Sequence, residues 1–194
     1  MIKLEQIRRI VHFGVDVTSP GTSLGMSMKG GEIHYCVEKE PKFLAFANIM
    51  SPKKSDAKII HGTATMAPLK SNFAHEVHIH NILTLPESEL DFEQKEEIIR
   101  EAKRILRVDG SIYIGNTIAP ESFPKVLLKK LAQKIGLKVD FEVEDDDGKS
   151  NRKLIDNLKF LRTRLGDFYS GRTGLRILKN NPGYYFARLT KKQP

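Results

Sequence analysis

Cysteine occurs once in the 194 residues, as Cys36. One cysteine excludes an internal disulfide and any zinc site built on several thiolates. It lies in an apolar, strand-like run, so a buried and inert thiol is expected. No apolar run approaches the ~20 residues that a membrane-spanning helix needs. The first residues, Met1-Ile-Lys-Leu-Glu-Gln, lack a signal-peptide pattern. A cytoplasmic location and no membrane partner are therefore expected. Internal repeats, low-complexity tracts and linkers are also missing, so residues 1–194 are read as a single α/β domain, long enough for a sizeable core. A helix carrying H-E-x-x-H is absent. His75, His78 and His80, with His61 before the next loop, offer no companion cysteine, and a metal needs three or four converging ligands. No metal site is expected.

What the chain does have is alternation of strand and helix patterns. Strands are expected at 8–16, 32–38, 57–61, 76–83, 111–115, 137–143 and 183–190. Short helices are expected near 24–28 and from Pro41 through Met50, with another from Phe123 to a cap at Gly136. A longer helix begins near Asp91 and runs to Leu106, with Ile98, Ile99, Ala102, Ile105 and Leu106 on one face. A tight turn at Asp109-Gly110, with Gly110 at positive φ, is expected to pass the chain into the strand 111–115. Such alternation implies a doubly wound, mostly parallel seven-stranded sheet with helices on both faces, its last strand antiparallel. Right-handed crossovers then bring the loops after the first four strands to one edge, where such sheets bind ligands.

Several stretches in this order resemble class I S-adenosylmethionine (SAM) dependent methyltransferases. Arg104-Ile-Leu-Arg-Val-Asp-Gly110 falls on the family's R-h-L-K-P-G-G segment, where h is apolar, with Val108 at the proline and Asp109 at the first glycine. Tyr35-Cys-Val-Glu38 resembles the end of the second strand, whose acidic residue binds the ribose hydroxyls of SAM; Glu40 is the fallback. A carboxylate suits that task because it accepts both hydrogen bonds of a vicinal diol. Gly62-Thr-Ala-Thr-Met-Ala-Pro-Leu69 is similar to the loop G-D-A-x-x-L-P-F, with Thr63 where an aspartate holds the adenine amino group. Ala74 to Leu83 is similar to F-D-E-V-h-h-x-N-V-L, with His75 in place of the aspartate. The glycine-rich first loop, D-x-G-x-G-x-G, is matched only at Gly14, and Asp16 and Thr18 carry side chains where the cofactor would lie.

The resemblance implies a Rossmann-like transferase that moves a methyl group from SAM to a small molecule or a protein. Gly14, Val15, Asp16, Glu38, Thr63 and Ala64 would line the cofactor. No catalytic residue is assigned by it; His78 and His80 are the candidates for a general base near pH 7. The motif (N/D/S)-P-P-(Y/F), which the family uses to methylate base amino groups, is replaced by His80-Asn-Ile-Leu83, so that substrate class is not expected. The net charge of +8 leaves an anionic partner open. Residues 149–182 hold nine basic residues, from Lys149 to Lys179, against Asp156 and Asp167, and so carry most of the excess. Leu154, Ile155, Leu158, Leu161 and Leu165 form one helical face there, leaving the basic flanks to solvent or to an acidic partner. The drifted first loop and this segment keep a second reading open: a methyltransferase-like domain without activity that binds a partner.

Overall fold

A computed structural model describes residues 7–13, 31–40, 57–80, 82–116, 123–141 and 185–192. Gly14, Val15, Asp16, the expected helices near 24–28 and 41–50, and the basic segment 149–182 lie outside the described residues.

Seven strands form one sheet: β1 (Arg8–Phe13), β2 (Glu32–Glu38), β3 (Ala57–His61), β4 (Ala74–His80), β5 (Leu106–Asn116), β6 (Leu137–Phe141) and β7 (Tyr185–Lys191). Their order across the sheet is β3-β2-β1-β4-β5-β7-β6. The pairs from β3 through to β5 are parallel, whereas β7 runs antiparallel to both β5 and β6. This is the expected doubly wound sheet with its last strand reversed. Because β2 lies on one side of β1 and β4 on the other, the order of winding reverses between β1 and β4. In sheets of this kind ligands bind outside the C-terminal ends of the strands at such a reversal.

Two helices are described, α1 (Phe92–Ile105) and α2 (Lys125–Lys134). Asp91 caps α1: its carboxylate accepts from Gln94 N at 2.8 Å, while the Gln94 side chain accepts from Asp91 N at 3.0 Å. That reciprocal pair satisfies two amide donors with no partner inside the helix. α1 buries Ile98, Ile99, Ala102 and Ile105, and α2 buries Leu128, Leu131 and Ala132. Both helices pack into one cluster with Val11, Phe13, Val77, Ile79, Ile112 and Ile114, so they share one face of the sheet. Gly136, at φ +70°, turns the chain from α2 into β6, as its expected capping role requires.

Three expectations need correction. β4 stops at His80, and a 3-10 turn at Ile82–Thr84 replaces the rest of the expected strand and buries Leu83. The helix-to-strand connection contains no loop. Leu106 is both the cap of α1 and the first residue of β5, with an extended backbone at φ −72° and ψ 135°. Nor does Gly110 take a positive φ; among described glycines only Gly31 and Gly136 do. Its role is to allow a close approach. Leu106 pairs with Ala74 and the next pair is Ser111 with Glu76, so residues 107–110 bulge opposite His75 alone. A Cβ on Gly110 would stand 2.6 Å from Leu106 Cδ1 and 2.8 Å from the His75 carbonyl oxygen. The backbone oxygen cannot swing aside as a side chain could. Gly110→Ala is therefore expected to lower stability by about 2–3 kcal/mol, in the range of an overpacked core. Urea unfolding checks this; a loss under 0.5 kcal/mol (about the range of neutral surface changes) would show that the bulge adjusts freely.

Candidate functional site

The C-terminal edge of the sheet collects the described residues expected to meet a cofactor. Glu38 is the last residue of β2 and pairs in register with His61, the last of β3. Its Oε1 accepts from the Glu40 amide at 2.9 Å, so the carboxylate is held by the turn that follows. No other hydrogen bond or ion pair engages it among the described residues, leaving Oε2 free to accept. The Glu38 carbonyl receives Gly62 N at 3.0 Å, and His61 Nε2 lies 3.2 Å from Lys39 O, so the turns after β2 and β3 are tied side by side. Gly62 is glycine for want of room: a Cβ there would meet Pro68 Cδ at 2.6 Å.

Thr63 stands beside that edge but its hydroxyl serves the turn. Oγ1 accepts from Met66 N at 3.1 Å and lies 3.1 Å from Thr65 Oγ1. Ala64 is half-buried against the core. The loop is then fastened from α1. Glu101, 8% exposed, accepts from Ala67 N at 2.8 Å through Oε1. Both its oxygens also receive Arg104, at 2.6 and 2.7 Å. Arg104 Nη2 donates onward to Leu69 O at 2.6 Å and Ala67 O at 3.2 Å. Hydrogen bonding to Glu101 pushes the Arg104 guanidinium further up in pKa and keeps it charged. The sequence assigns this clamp no role at the site, although Arg104 falls on the segment that resembles the family's. Its signal was present, however: Glu101 sits one turn from Ile98 and Ile105 on the apolar stripe, where a carboxylate must find partners.

Nearby, Lys95 of α1 is 4% exposed and donates from Nζ to Leu85 O at 2.8 Å, pinning the chain after the 3-10 turn. Burial lowers its pKa, against the pull of Glu87 and Asp91.

The histidines divide. His75 is at the opposite, N-terminal end of β4, and its Nδ1 accepts from Arg9 N at 3.0 Å. Desolvation, then Arg107 and Arg9, lower its pKa and favour that neutral acceptor form. His78 is 1% exposed, lies with its ring tilted against those of His12 and Tyr113, centroids 5.1 Å away in each case, and bonds Glu76 Oε2 through Nε2 at 2.9 Å. That burial in mid-strand corrects its reading as a general base in contact with substrate. His80 ends β4 and pairs with Gly115 at the C-terminal edge. His12 and His34 lie 2.9 Å apart (Nε2 to Nδ1), and Glu76 also pairs with Arg8. The result is a buried polar row across a sheet face that is ordinarily aliphatic. Among the described residues, no group of three or more His, Cys, Asp or Glu is placed to hold a metal ion.

This geometry has close company among solved structures. A TehB-like SAM-dependent methyltransferase from Corynebacterium glutamicum superposes with a TM-score of 0.61 at 15% identity, covering 96% of this chain and 82% of that one. In the complex between the Haloferax volcanii Trm112 methyltransferase activator and the putative methyltransferase, a chain matches with a TM-score of 0.63 at 12% identity, over 97% and 84%. The chain has the class I methyltransferase fold. The [4+2]-cyclase SpnF also matches this methyltransferase fold, with a TM-score of 0.60 at 14% identity, over 96% and 75%. No protein-family model and no curated protein matches the sequence.

Two outcomes are expected. Glu101→Ala strands Ala67 N and removes two of the bonds that orient Arg104, and should cost about 2–3 kcal/mol, since bonds to charged groups are the costly ones to lose; amide exchange should quicken through 63–69. Unchanged exchange there would remove the clamp from the site's construction. Cys36 is 2% exposed, and burial, aided by Glu38, pushes its thiol up to about 12. At pH 8 a thiol reagent should leave the native protein untouched and react once after unfolding; prompt native reaction would contradict the packing of β2.

Proposed function

We propose that the protein binds SAM at the C-terminal edge of the sheet and transfers its methyl group to a small molecule or a protein. One observation carries this reading. The Glu38 carboxylate ends β2 near the winding reversal, fixed through one oxygen and with no partner at the other among the described residues. A ribose diol is the kind of donor pair that such a carboxylate accepts. Gly14, Val15 and Asp16 follow β1 in sequence and are read as the loop under the methionine part, with Ala64 beside the adenine. Thr63 is assigned to shaping that loop, because its hydroxyl is already bonded within it. SAM, when bound, supplies a methyl group on a positively charged sulfur. The chain's part is to hold the cofactor and to align an acceptor with it, and alignment alone accounts for much of the rate in such reactions. His80, at the same edge, is the remaining histidine proposed as a base. That all seven strands enter one sheet supports reading residues 1–194 as one domain.

A second reading has its own support: a methyltransferase-like domain without methyl transfer that meets an acidic partner through 149–182. The internal bonding of Thr63 favours it, and so does a neighbour of this fold, SpnF, that is named a cyclase. Calorimetry separates the two. The first expects SAM to bind the native protein, and Glu38→Ala to weaken it about 10- to 100-fold, the worth of hydrogen bonds to a charged group. Heatless titration at millimolar SAM would leave the second reading standing.

A further inference from the structure

At the other edge of the sheet, far along the strands from Glu38, lies a groove of about 710 Å³. The β5 bulge, the start of β6 and the end of β7 form it. Lys138, Arg188, Lys191 and Lys192 line it, together with Asp109 and Val108. We infer that this groove is a binding site for the phosphodiester backbone of a nucleic acid.

Three features point to that chemistry. First, the positive charge is largely uncompensated. Asp109 is the one acidic residue among the described lining, and it is engaged by Arg107 at 3.3 Å. Lys138 meets Asp140 at 3.0 Å but is 66% exposed, where such a pair holds weakly. Second, Arg188 is oriented and has capacity left. Its Nε donates to Ser111 Oγ at 3.0 Å, and no other bond engages it among the described residues, so its two terminal nitrogens can take a phosphate end-on. Lys191 is likewise fixed, by Leu106 O at 2.5 Å and Asn72 Oδ1 at 3.3 Å. Burial first, and then the charge of Lys103, lower its pKa. Third, no aromatic side chain is among the described lining, and Val108 is its one large apolar group. Such a groove reads charge and offers nothing to stack a base upon, which suits backbone contact without sequence preference. The volume exceeds what one phosphate fills. Lack of a base-methylating motif does not bear on this, since the groove is at the edge remote from the proposed cofactor.

The test uses the full chain and a labelled single-stranded oligonucleotide, followed by fluorescence anisotropy over a salt series. The wild type should bind with a steep salt dependence. Lys138→Gln with Lys192→Gln should weaken binding about tenfold or more and lower the salt slope by about two, one per lost contact. A matched control, Lys129→Gln with Lys130→Gln on exposed α2 positions, should leave both within about twofold. Equal losses in the two variants would place any binding elsewhere and overturn the inference, as would no binding by the wild type. Displacement by inorganic tripolyphosphate at equal phosphate concentration would overturn the nucleic-acid assignment. None of these readouts involves SAM, so they stand or fall apart from the proposed transfer.

Discussion

Glu101 is the joint on which the arrangement of this molecule turns. A carboxylate at 8% exposure on a helix face made mostly of isoleucine and alanine would be costly alone. It is offset by an amide donor from Ala67 and a bidentate arginine one turn along the same helix. The cost and its compensation together join α1, which belongs to the crossover between β4 and β5, to the loop that leaves β3. That loop lies beside Glu38 because Gly62 bonds the Glu38 carbonyl. A polar contact inside the scaffold thus sets the shape of the edge where a cofactor is proposed to sit. The geometry of the edge and the stability of the core are for this reason not separable by a change at Glu101.

The sheet is unequal on its two faces. Aliphatic side chains from β1, β4 and β5 meet α1 and α2 on one, as a parallel sheet ordinarily requires. Across the other run His34, His12 and His78, with Glu76 bonding His78 and Arg8. Hydrogen-bonded networks of this kind specify one arrangement of strands more sharply than interchangeable aliphatics do, since a register slip would leave every member without its partner. The same inequality explains why His78, read from the sequence as available for proton transfer, is instead part of the packing.

Periodicity made the fold legible. Ile98, Ile99, Ala102 and Ile105 marked α1, Asp91 its start, and the alternating runs marked the strands, because each signal depends on local spacing alone. Gly110 shows where such reading fails. A glycine after Asp109 reads as a turn residue, yet its cause is a carbonyl of His75 on the neighbouring strand, 35 residues away in the chain, which no local pattern contains. Thr63 is a similar case: the sequence places it at an adenine-binding position, and only the folded loop shows its hydroxyl also bonded to Met66 and Thr65. Glu38 needed both kinds of information. Its place at the end of an apolar strand was visible, while the way the turn through Glu40 holds one carboxylate oxygen, with no partner for the other among the described residues, emerged only from the structure.

The claim that Glu38 marks a cofactor edge is tested most directly by amide resonances followed as S-adenosylhomocysteine is added to the labelled protein. Saturable shifts should concentrate at 37–40 and 62–66, with residues 108–110 and 188–192 at the far edge unmoved. Shifts confined to that far edge, or none at millimolar ligand, would contradict the assignment of the site.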